Sequence, residues 1–291
     1  MPGGVELSNL NKVFWPDEGL TKGDLIEYFE AVSSALLPAI RNRPLTVKRY
    51  PDGINGQAFF QKNTPAYAPK WVKTVTLRAE SAGRDVAYPL CNNKRTLRWL
   101  ANQAAIELHP WLSRTDRLDR PDHLVFDLDP PEDAFERSVK MALILKEALD
   151  EIGLEGLPKT SGGKGVHVYV PLGRRYDYGT VRAAAFAIGS RVEQRVPDEA
   201  TTEIRLAKRG GRVFMDAGRN APGAHVIAPY SPRARPGAPV SFPVPWQDLK
   251  RVKPGDFTIR NVPRLLEKED MWESLMPRPQ ALPRELLADP G

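Results

Sequence analysis

Two aspartates stand at alternate positions near the end of an apolar segment, HLVFDLDPP (residues 123–131). Such a segment predicts a strand, along which side chains alternate, so Asp127 and Asp129 project from one face. Neighbouring carboxylates repel each other unless a cation lies between them, and oxygen ligands on a rigid strand suit Mg²⁺ or Mn²⁺ better than zinc. The pair is therefore a candidate site for a divalent cation. Taken alone, Asp-x-Asp is somewhat more often a cap or turn beside Pro130, so both interpretations stay open.

A glycine-rich turn lies further along the chain, at residues 161–165 (SGGKG). It lacks the GxxxxGK[ST] spacing of a P-loop, yet it carries groups that bind phosphate. Its glycines let backbone N–H groups approach an anion, Ser161 adds a hydroxyl, and Lys164 adds positive charge. His167 lies in the strand predicted to follow. A plain hairpin turn explains the glycines but not the serine, lysine and histidine together, so the turn indicates phosphate contact.

A third carboxylate, Asp216, ends the predicted strand RVFMD (212–216), where alternation sets it on the same face as Phe214. Basic residues surround it, because residues 201–220 hold five Lys or Arg against two acids, with Arg209 and Arg219 among them. A basic run is usually a solvated face. Taken alone, this one favours that interpretation over contact with nucleic acid or a triphosphate.

A second basic segment lies near the N-terminus, where residues 41–50 carry no acid. Its basic residues are interleaved with aromatic ones, a pattern typical of surfaces that bind phosphates and stack bases. Adjacent phenylalanines in a strand are nevertheless more often core residues, so the local pattern favours burial of at least one of Phe59 and Phe60. His109, which precedes Pro110, is by itself compatible with a packed core histidine and with a site residue. The segment comprises Arg41, Arg43, Lys48, Arg49, Tyr50, Phe59, Phe60 and Lys62.

Short elements separated by turns must position these residues. A capping box of Thr21 and Asp24 predicts the start of a helix that Pro38 kinks or ends. An antiparallel meander of strands follows, and then a helix at 96–108. From residue 123 strands and helices alternate, which predicts a mixed α/β sheet. The expected strands are 45–50, 57–63, 71–79, 84–90, 123–131, 166–171, 212–216 and 225–230, and the later helices are 135–152, 178–195 and 262–272.

Composition restricts the class of protein. The chain has 291 residues, 41% of them hydrophobic, which suffices for a buried core, and 28 prolines, which nearly exclude a helical bundle. Its single cysteine, Cys91, excludes an internal disulfide. The formal charge of +6 is compatible with a polyanionic partner and with an ordinary basic surface. No signal peptide and no apolar run of about 20 residues is visible, which predicts a cytoplasmic protein without membrane contact.

Taken together, the motifs resemble the polymerase domain of bacterial ligase D, the end-joining branch of the archaeo-eukaryotic primase superfamily. The resemblance runs from about Glu6 to Met276. It implies a primase-polymerase fold of the α/β class, with two mixed β-sheet modules flanked by helices around a central active-site cleft. The motifs are TKGDLIEYF (21–29), KRYPDG (48–53), FFQKN (59–63), VFDLDPP (125–131), TSGGKGVHVYVP (160–171), RVFMD (212–216) and APYSPR (228–233).

The resemblance also implies the domain organisation and the roles of individual residues. A single catalytic domain would span 1–276, with a DNA- and 5′-phosphate-binding module (1–120) and a catalytic module (121–276), and 277–291 would be a linker or flexible tail. The catalytic residues would be Asp127, Asp129, Asp216 and, at the rim, His109; the three aspartates would hold two divalent cations, Mn²⁺ or Mg²⁺. The incoming triphosphate would contact Ser161, Lys164, His167, Arg209, Arg219 and Arg233. DNA would contact Lys12, Lys22 and Lys48 through its 5′-phosphate, and Phe59, Phe60 and Lys62 through the template strand.

These roles imply a metal-dependent, template-directed nucleotidyltransferase that extends DNA primers at gaps or double-strand-break ends with NTPs or dNTPs. The resemblance implies a Ku-type end binder and a DNA ligase as partners. It also implies that the protein is associated with the nucleoid. Two alternatives stay open, a de novo primase and a catalytically idle module that binds DNA ends. In the segment after Asp216, AGRNAPGAHV, an alanine follows the acid where many members of the family have an aromatic residue. The ligase and nuclease modules of multidomain relatives are absent, so a free-standing enzyme and a domain of a longer chain both fit.

Overall fold

The computed structural model describes residues 4–79, 83–131 and 134–287 of the chain. These residues form two compact units. The chain passes from unit 2 back to unit 1 twice after residue 224, so both units are discontinuous in sequence. Within the described residues, no helix is long and apolar enough to cross a membrane. Unit 1 takes in Met1–Asp116, His225–Ser241 and Gly255–Asp270, and unit 2 takes in Arg117–Ala224, Phe242–Pro254 and Met271–Gly291.

The helices and strands follow one another in short alternating runs. In chain order they are β1 (Val13–Trp15), β2 (Leu20–Thr21), α1 (Lys22–Ala31), α2 (Ser33–Ile40), β3 (Leu45–Arg49), β4 (Phe59–Gln61), β5 (Thr74–Ala79), β6 (Arg84–Pro89), α3 (Lys94–Asn102), β7 (Ala105–Pro110), β8 (Ser113–Arg114), β9 (Arg117–Pro121), β10 (His123–Asp129), α4 (Phe135–Asp150), β11 (Leu157–Thr160), β12 (Val166–Pro171), α5 (Tyr178–Arg195), β13 (Ala200–Thr201), β14 (Val213–Asp216), α6 (Val262–Leu266) and α7 (Met271–Leu275).

The predicted capping box opens α1 of unit 1. The Thr21 hydroxyl accepts from the Asp24 N–H (3.3 Å) and the Asp24 carboxylate accepts from the Thr21 N–H (2.6 Å), so the box is confirmed. The helical run breaks at Val32 and continues as α2, which contains Pro38, so the proline neither ends nor divides it. At the break the Ser33 hydroxyl donates to the Glu30 carbonyl (2.7 Å), a local bond that competes with the helix ladder.

The strands expected as one meander belong to two sheets of unit 1. β3 lies between β4 and β7, whereas β5 and β6 form a separate hairpin. The place beside β3 is filled by β7, whose side chains are all buried. The prediction of a single meander was therefore wrong, because the pairing stops at β4, which is the edge strand of its sheet, and β5 pairs with β6 alone.

The helix predicted for 96–108 ends at Asn102, and the chain enters β7 instead. Ala104 marks the change with a positive φ of 60°. His109 precedes a proline, which disfavours helical backbone at that residue and favours a strand. The prediction was wrong because apolar residues keep helical spacing across the break as far as Leu108.

The strand predicted for 225–230 is reduced to one bridge, between His225 and Trp111. Pro229 has no N–H to donate to a ladder, and Tyr230 adopts a positive φ of 63°. The chain therefore turns where a strand was expected, and that prediction was wrong.

Among the described residues, unit 2 is organised around a five-stranded sheet in the order β11, β12, β10, β14, β13. β13 runs parallel to β14, and the other neighbouring strands are antiparallel, so the predicted mixed sheet is confirmed. The helices α4 and α5 contact the sheet, and α4 buries Val139, Ala142, Leu145 and Leu149 at helical spacing. The central strand β10 is thereby held on both sides and carries Asp127 and Asp129 at its end.

The side chain of Asn220 extends the pairing of β10 beyond the end of β14. Its Oδ1 accepts from the Val125 N–H (2.9 Å) and its Nδ2 donates to the Val125 carbonyl (2.8 Å). Asn220 is fully buried. The amide therefore replaces a missing strand partner two residues before Asp127.

We expect Asn220→Ala to lower the free energy of unfolding by about 2–4 kcal/mol, because it leaves a buried N–H and a buried carbonyl without partners. Urea denaturation followed by circular dichroism measures the change. The exposed Gln194 offers a matched control, and Gln194→Ala should change stability by less than about 0.5 kcal/mol. Equal stability of the two variants would contradict the role assigned to Asn220.

The segment predicted as a linker or tail packs against the rest of unit 2 as far as the structure describes it. The Gln280 side chain exchanges two hydrogen bonds with the Glu155 backbone (2.7 and 2.8 Å), and the Gln280 N–H donates to the Pro171 carbonyl (2.9 Å). Leu282 and Leu286 are buried. Residues 288–291 lie outside the described part of the chain.

Candidate active site

Four polar side chains form a row across the sheet of unit 2. Lys159 is opposite His167, His167 is opposite Asp127, and Asp127 is opposite Asp216. Residues directly opposite each other on antiparallel strands point to the same face, with Cβ atoms about 5 Å apart. We call Lys159, His167, Asp127 and Asp216 the polar row.

Contacts along the polar row orient its central histidine. Lys159 is fully buried, and its Nζ lies 3.0 Å from His167 Nδ1. A lysine ammonium can only donate, so Nδ1 accepts and the ring proton of the neutral imidazole belongs on Nε2. His167 Nε2 lies 3.2 Å from Asp127 Oδ1 and donates to it. Lys159 and His167 together therefore hold one oxygen of Asp127.

Arg219 lies between two of the predicted metal carboxylates. Its Nε donates to Asp127 Oδ2 (2.9 Å) and is 3.2 Å from Asp216 Oδ2. Burial acts to raise the pKa of the Asp127 carboxyl, but His167 and Arg219 outweigh it and hold that pKa well below its ordinary value. Burial raises the pKa of Asp216. The neighbouring Asp127 carboxylate raises this pKa further, and Arg219 lowers it without cancelling the rise. Asp127 is thus the more firmly ionised member of the pair.

Asp129 is more open to solvent, with 41% of its side chain exposed. Lys164 Nζ lies 3.3 Å from one of its oxygens, and Arg209 lies 4.0 Å from the other. The Arg209 guanidinium also stacks on the Phe214 ring, 3.6 Å from its centroid. Two of the residues predicted to bind the triphosphate therefore flank one predicted metal ligand.

Hydrogen bonds within the glycine-rich turn occupy some of the groups that were expected to bind phosphate. Ser161 Oγ accepts from the N–H groups of Gly163 and Gly165, each at 3.1 Å. A Cβ at Gly165 would lie 2.7 Å from the Leu128 carbonyl oxygen, so only glycine fits there. Those two N–H groups therefore do not face an anion, contrary to expectation. The Lys164 ammonium, which donates to the Pro130 carbonyl (2.8 Å), remains the cation of the turn.

The three aspartates supply the oxygen ligands that Mg²⁺ and Mn²⁺ prefer. Among the described residues, no three acidic, histidine or cysteine side chains already converge on one ion position. Instead the Arg219 guanidinium contacts both Asp127 and Asp216, which shows that positive charge is stabilised at this point. The donor set fits a divalent cation that replaces part of the contact with Arg219.

Unit 1 carries a second polar cluster, centred on Glu107. His109 Nε2 lies 3.1 Å from Glu107 Oε2, and Tyr50 donates to Oε1 at 3.3 Å, with Arg233 Nε at 3.5 Å from the same oxygen. Burial opposes ionisation of Glu107, but His109 and Arg233 lower its pKa to about 2. Burial also lowers the pKa of His109, and the Glu107 carboxylate, which raises that pKa, offsets the effect of burial only in part. Glu107 is therefore an ionised, buried group that holds both His109 and Arg233.

Sequence reasoning missed Lys159 and Glu107. Lys159 could have been found by counting back from the turn, because a hairpin closed at Ser161 and Gly165 places Lys159 opposite His167. Glu107 was hidden by the predicted helix, in which residues two apart do not face each other. In the strand that forms instead, Glu107 and His109 share a face.

The lysines predicted to contact a 5′-phosphate all belong to unit 1. Lys22 is 5% exposed, and its ammonium donates to the Ser8 carbonyl (2.5 Å). Burial lowers its pKa, and the nearby Lys12 and Arg49 lower it further. Lys12 forms an ion pair with Asp52 (2.6 Å). A buried ammonium among other cations is a place where an anion would be stabilised.

Both phenylalanines of β4 are exposed, 44% for Phe59 and 53% for Phe60, so the local expectation that one is buried was wrong. The reason is that β4 is the edge strand of its sheet. Lys48 Nζ lies 5.3 Å from the Phe60 ring centroid, and the His109 ring is 5.6 Å away. Lys62 directly follows β4 and is half-buried.

Residues 21–272 match the family model described as the LigD primase-polymerase domain. The chain is 35% identical to the bifunctional non-homologous end joining protein LigD of Bacillus subtilis, over 91% of this chain and 43% of that protein. It is 34% identical to the multifunctional non-homologous end joining DNA repair protein LigD of Mycobacterium tuberculosis, over 84% of this chain and 33% of that protein. The chain thus spans less than half the length of these relatives.

The architecture is similar to that of a solved structure, the polymerase domain from Mycobacterium tuberculosis ligase D in complex with DNA. The TM-score is 0.83 at 31% identity, over 91% of this chain and 95% of that one. The predicted primase-polymerase fold is thereby confirmed.

Proposed function

The chain belongs to the LigD primase-polymerase domain family, and from this premise we propose that it is a metal-dependent, template-directed nucleotidyltransferase. In this proposal it extends DNA primers at gaps and double-strand-break ends with NTPs or dNTPs, during end joining or gap repair at the nucleoid. A Ku-type end binder and a DNA ligase act with it. The observation that carries the proposal is the register that sets Asp127 against Asp216, with Asp129 two residues further along β10.

Asp127, Asp129 and Asp216 would hold two divalent cations, Mn²⁺ or Mg²⁺. When bound, such cations lower the pKa of a primer 3′-hydroxyl and stabilise the charge of the leaving pyrophosphate. His167 and Arg219 keep Asp127 ionised across the neutral pH range, so its charge is available to a cation. Lys159, through His167, fixes the direction in which one Asp127 oxygen points.

Lys164 and Arg209 are the best placed to bind the incoming triphosphate, because both contact Asp129 and both are cationic. We infer that Ser161, His167, Arg219 and Arg233 complete this set. In the transfer the primer 3′-oxygen forms a bond to the α-phosphorus, and the bond from that phosphorus to the bridging oxygen breaks. Pyrophosphate leaves, and the hydroxyl proton passes to water. The cationic side chains offset the charge that accumulates on the phosphate oxygens.

Unit 1 would bind the DNA. Lys12, Lys22 and Lys48 would contact the 5′-phosphate, and Phe59, Phe60 and Lys62 would contact the template strand. Exposed phenylalanines beside a lysine are suited to stacking on bases next to a phosphate backbone. His109 would act from the rim of the catalytic site, with its ring held by Glu107.

The test is extension of a labelled primer in a gapped duplex, with manganese chloride and an NTP or dNTP. We expect the primer to lengthen to the edge of the gap. Tight binding of gapped DNA without extension would contradict the proposal and favour an end-binding module. Dinucleotide synthesis on unprimed single strands, in place of primer extension, would favour a primase.

A further inference from the structure

Arg209 belongs to the segment that joins β13 to β14 in unit 2, which we call the β13–β14 loop (residues 202–212). Its guanidinium is held by the loop itself. Nε donates to the Glu203 carbonyl (3.1 Å), and Nη2 donates to the Ile204 carbonyl (3.0 Å). Its planar face lies on the Phe214 ring, 3.6 Å from the centroid. The direction in which Arg209 points therefore depends on the shape of this loop.

A tight turn follows Arg209, and Arg212 closes it. Gly210 and Gly211 have positive φ angles of 58° and 72°, a conformation that residues with a side chain rarely adopt. The Arg212 N–H donates to the Arg209 carbonyl (3.0 Å). The Arg212 side chain closes the same turn, because its Nε donates to the Arg209 carbonyl (2.8 Å) and its Nη2 to the Lys208 carbonyl (3.1 Å). Arg212 thus fixes the backbone that carries Arg209.

The carboxylate of Glu193, on α5, holds both ends of the loop. Its Oε2 accepts from the Thr202 N–H (3.0 Å) and the Thr202 hydroxyl (2.7 Å), and its Oε1 accepts from the Thr201 hydroxyl (3.1 Å). At the other end, Arg212 Nη1 lies 3.7 Å from Oε1. Burial acts to raise the pKa of the Glu193 carboxyl, but the hydrogen bonds from Thr202 and Thr201 outweigh it and lower that pKa. Glu193 is therefore an ionised anchor for the loop.

Two chains of contacts lead from Glu193 to Arg209. In the first, the Thr201 hydroxyl that donates to Glu193 also accepts from the Glu203 N–H (3.1 Å). The Glu203 carbonyl in turn accepts from Arg209 Nε. In the second, Arg212 lies beside Glu193 and donates to the Arg209 carbonyl. A long side chain that its neighbours have already ordered loses less entropy when it binds a ligand.

We propose that Glu193 and Arg212 are positioning residues for the incoming triphosphate, which they affect by fixing Arg209. The proposal rests on the proposed function, in which Arg209 binds that triphosphate. The side chains of Glu193 and Arg212 are engaged with the β13–β14 loop, so their effect on the triphosphate passes through Arg209. Loss of either contact leaves the charge of Arg209 in place and releases its orientation. Affinity should therefore fall by part of what the removal of Arg209 costs.

The experiment measures equilibrium affinity for a nucleoside triphosphate without turnover. The NTP complementary to the template base is titrated calorimetrically, with manganese chloride, into protein bound to a gapped duplex whose primer ends in a 2′,3′-dideoxynucleotide. Removal of a charge-assisted hydrogen bond costs about 10- to 100-fold in affinity, so Arg209→Gln should weaken binding at least about tenfold. Ordering of one long side chain contributes about 2- to 10-fold, so we expect Glu193→Gln to weaken binding about fivefold.

The combination of Glu193→Gln with Arg209→Gln separates positioning from a merely structural role. If Glu193 acts through Arg209, Glu193→Gln should change the affinity of the Arg209→Gln protein by less than about 1.5-fold. A fivefold loss in both backgrounds would show that Glu193 only supports the fold, and would overturn the proposal. Arg212→Lys keeps the charge but not the planar group that spans two carbonyls, so it should give the same pattern. It tests the proposal independently if Glu193→Gln fails to fold.

Glu199→Gln is the matched control. Glu199 directly precedes β13, but its carboxylate pairs with Lys140 of α4 (2.5 Å) and not with the β13–β14 loop. This variant should bind the triphosphate as the wild-type protein does. Unchanged affinity of Glu193→Gln and Arg212→Lys, or no triphosphate binding by the wild-type protein, would overturn the proposal. The readout needs no turnover, so extension of an ordinary primer by the wild-type protein, measured in parallel, tests the proposed function separately.

Discussion

Asp127→Asn should reduce primer extension by at least about 1000-fold, which corresponds to about 4 kcal/mol of lost transition-state stabilisation. The substitution keeps the shape of the side chain and removes its negative charge. Asp127 occupies the centre of the polar row and is the carboxylate that His167 and Arg219 hold in ionised form. The measurement is the single-turnover rate of incorporation in a gapped duplex, together with Mn²⁺ affinity from titration of its electron paramagnetic resonance signal.

The control for this variant is Asp119→Asn. Asp119 also belongs to unit 2, but its side chain is 71% exposed and its partner is the adjacent Arg120. We expect Asp119→Asn to extend primers at the wild-type rate, and both variants to bind gapped DNA within about twofold of wild type. Asp127→Asn that kept more than a tenth of the wild-type rate would show that this carboxylate does not hold a catalytic cation.

The second large effect is expected from Lys22→Met, which should remove about a tenfold preference for gapped DNA that carries a 5′-phosphate. Methionine keeps the apolar stem in its buried position and removes the ammonium. In the free protein that ammonium donates to a backbone carbonyl of Ser8, close to Lys12 and Arg49. A doubly charged phosphate would relieve the repulsion among these cations and accept charge-assisted hydrogen bonds. Titration of phosphorylated and unphosphorylated gaps measures the preference.

Lys70→Met removes the same charge from an exposed position of unit 1 and serves as the control. It should weaken binding of both duplexes slightly and equally. If Lys22→Met likewise weakened binding of both duplexes to the same extent, the lysine would contribute a general electrostatic attraction to DNA instead of recognising the 5′-phosphate. Thermal unfolding of Lys22→Met within a few degrees of wild type excludes loss of structure as the cause.

The placement of the aspartates was predictable because it depends on the two-residue period of a strand. Asp127 and Asp129 share a face whatever the neighbouring strands are, and Asp216 shares one with Phe214 for the same reason. Which strands become neighbours is a different matter. The register that sets Asp127 against both His167 and Asp216 depends on packing between segments up to 89 residues apart, and no local pattern encodes it.

Two of the errors have a common physical origin, since each concerns a choice that tertiary packing makes. Apolar residues keep helical spacing as far as Leu108, yet residues 105–110 form the strand beside β3, where all six are buried. Phe59 and Phe60 look like core residues in isolation and are exposed because β4 has a neighbour on one side only. The assignment of Arg219 to the nucleotide stays a prediction, but the sequence did not predict that the short helical turn after Asp216 brings its guanidinium onto the Asp127 carboxylate.

Template-directed incorporation is the central claim, and the most direct measurement is single-nucleotide addition in a one-nucleotide gap opposite each of the four template bases in turn. With manganese chloride and an equimolar mixture of nucleotides, we predict that the added nucleotide changes with the template base and is its Watson–Crick complement in every case. Addition of the same nucleotide whatever the template base, or no addition to a primer that the protein demonstrably binds, would contradict the account.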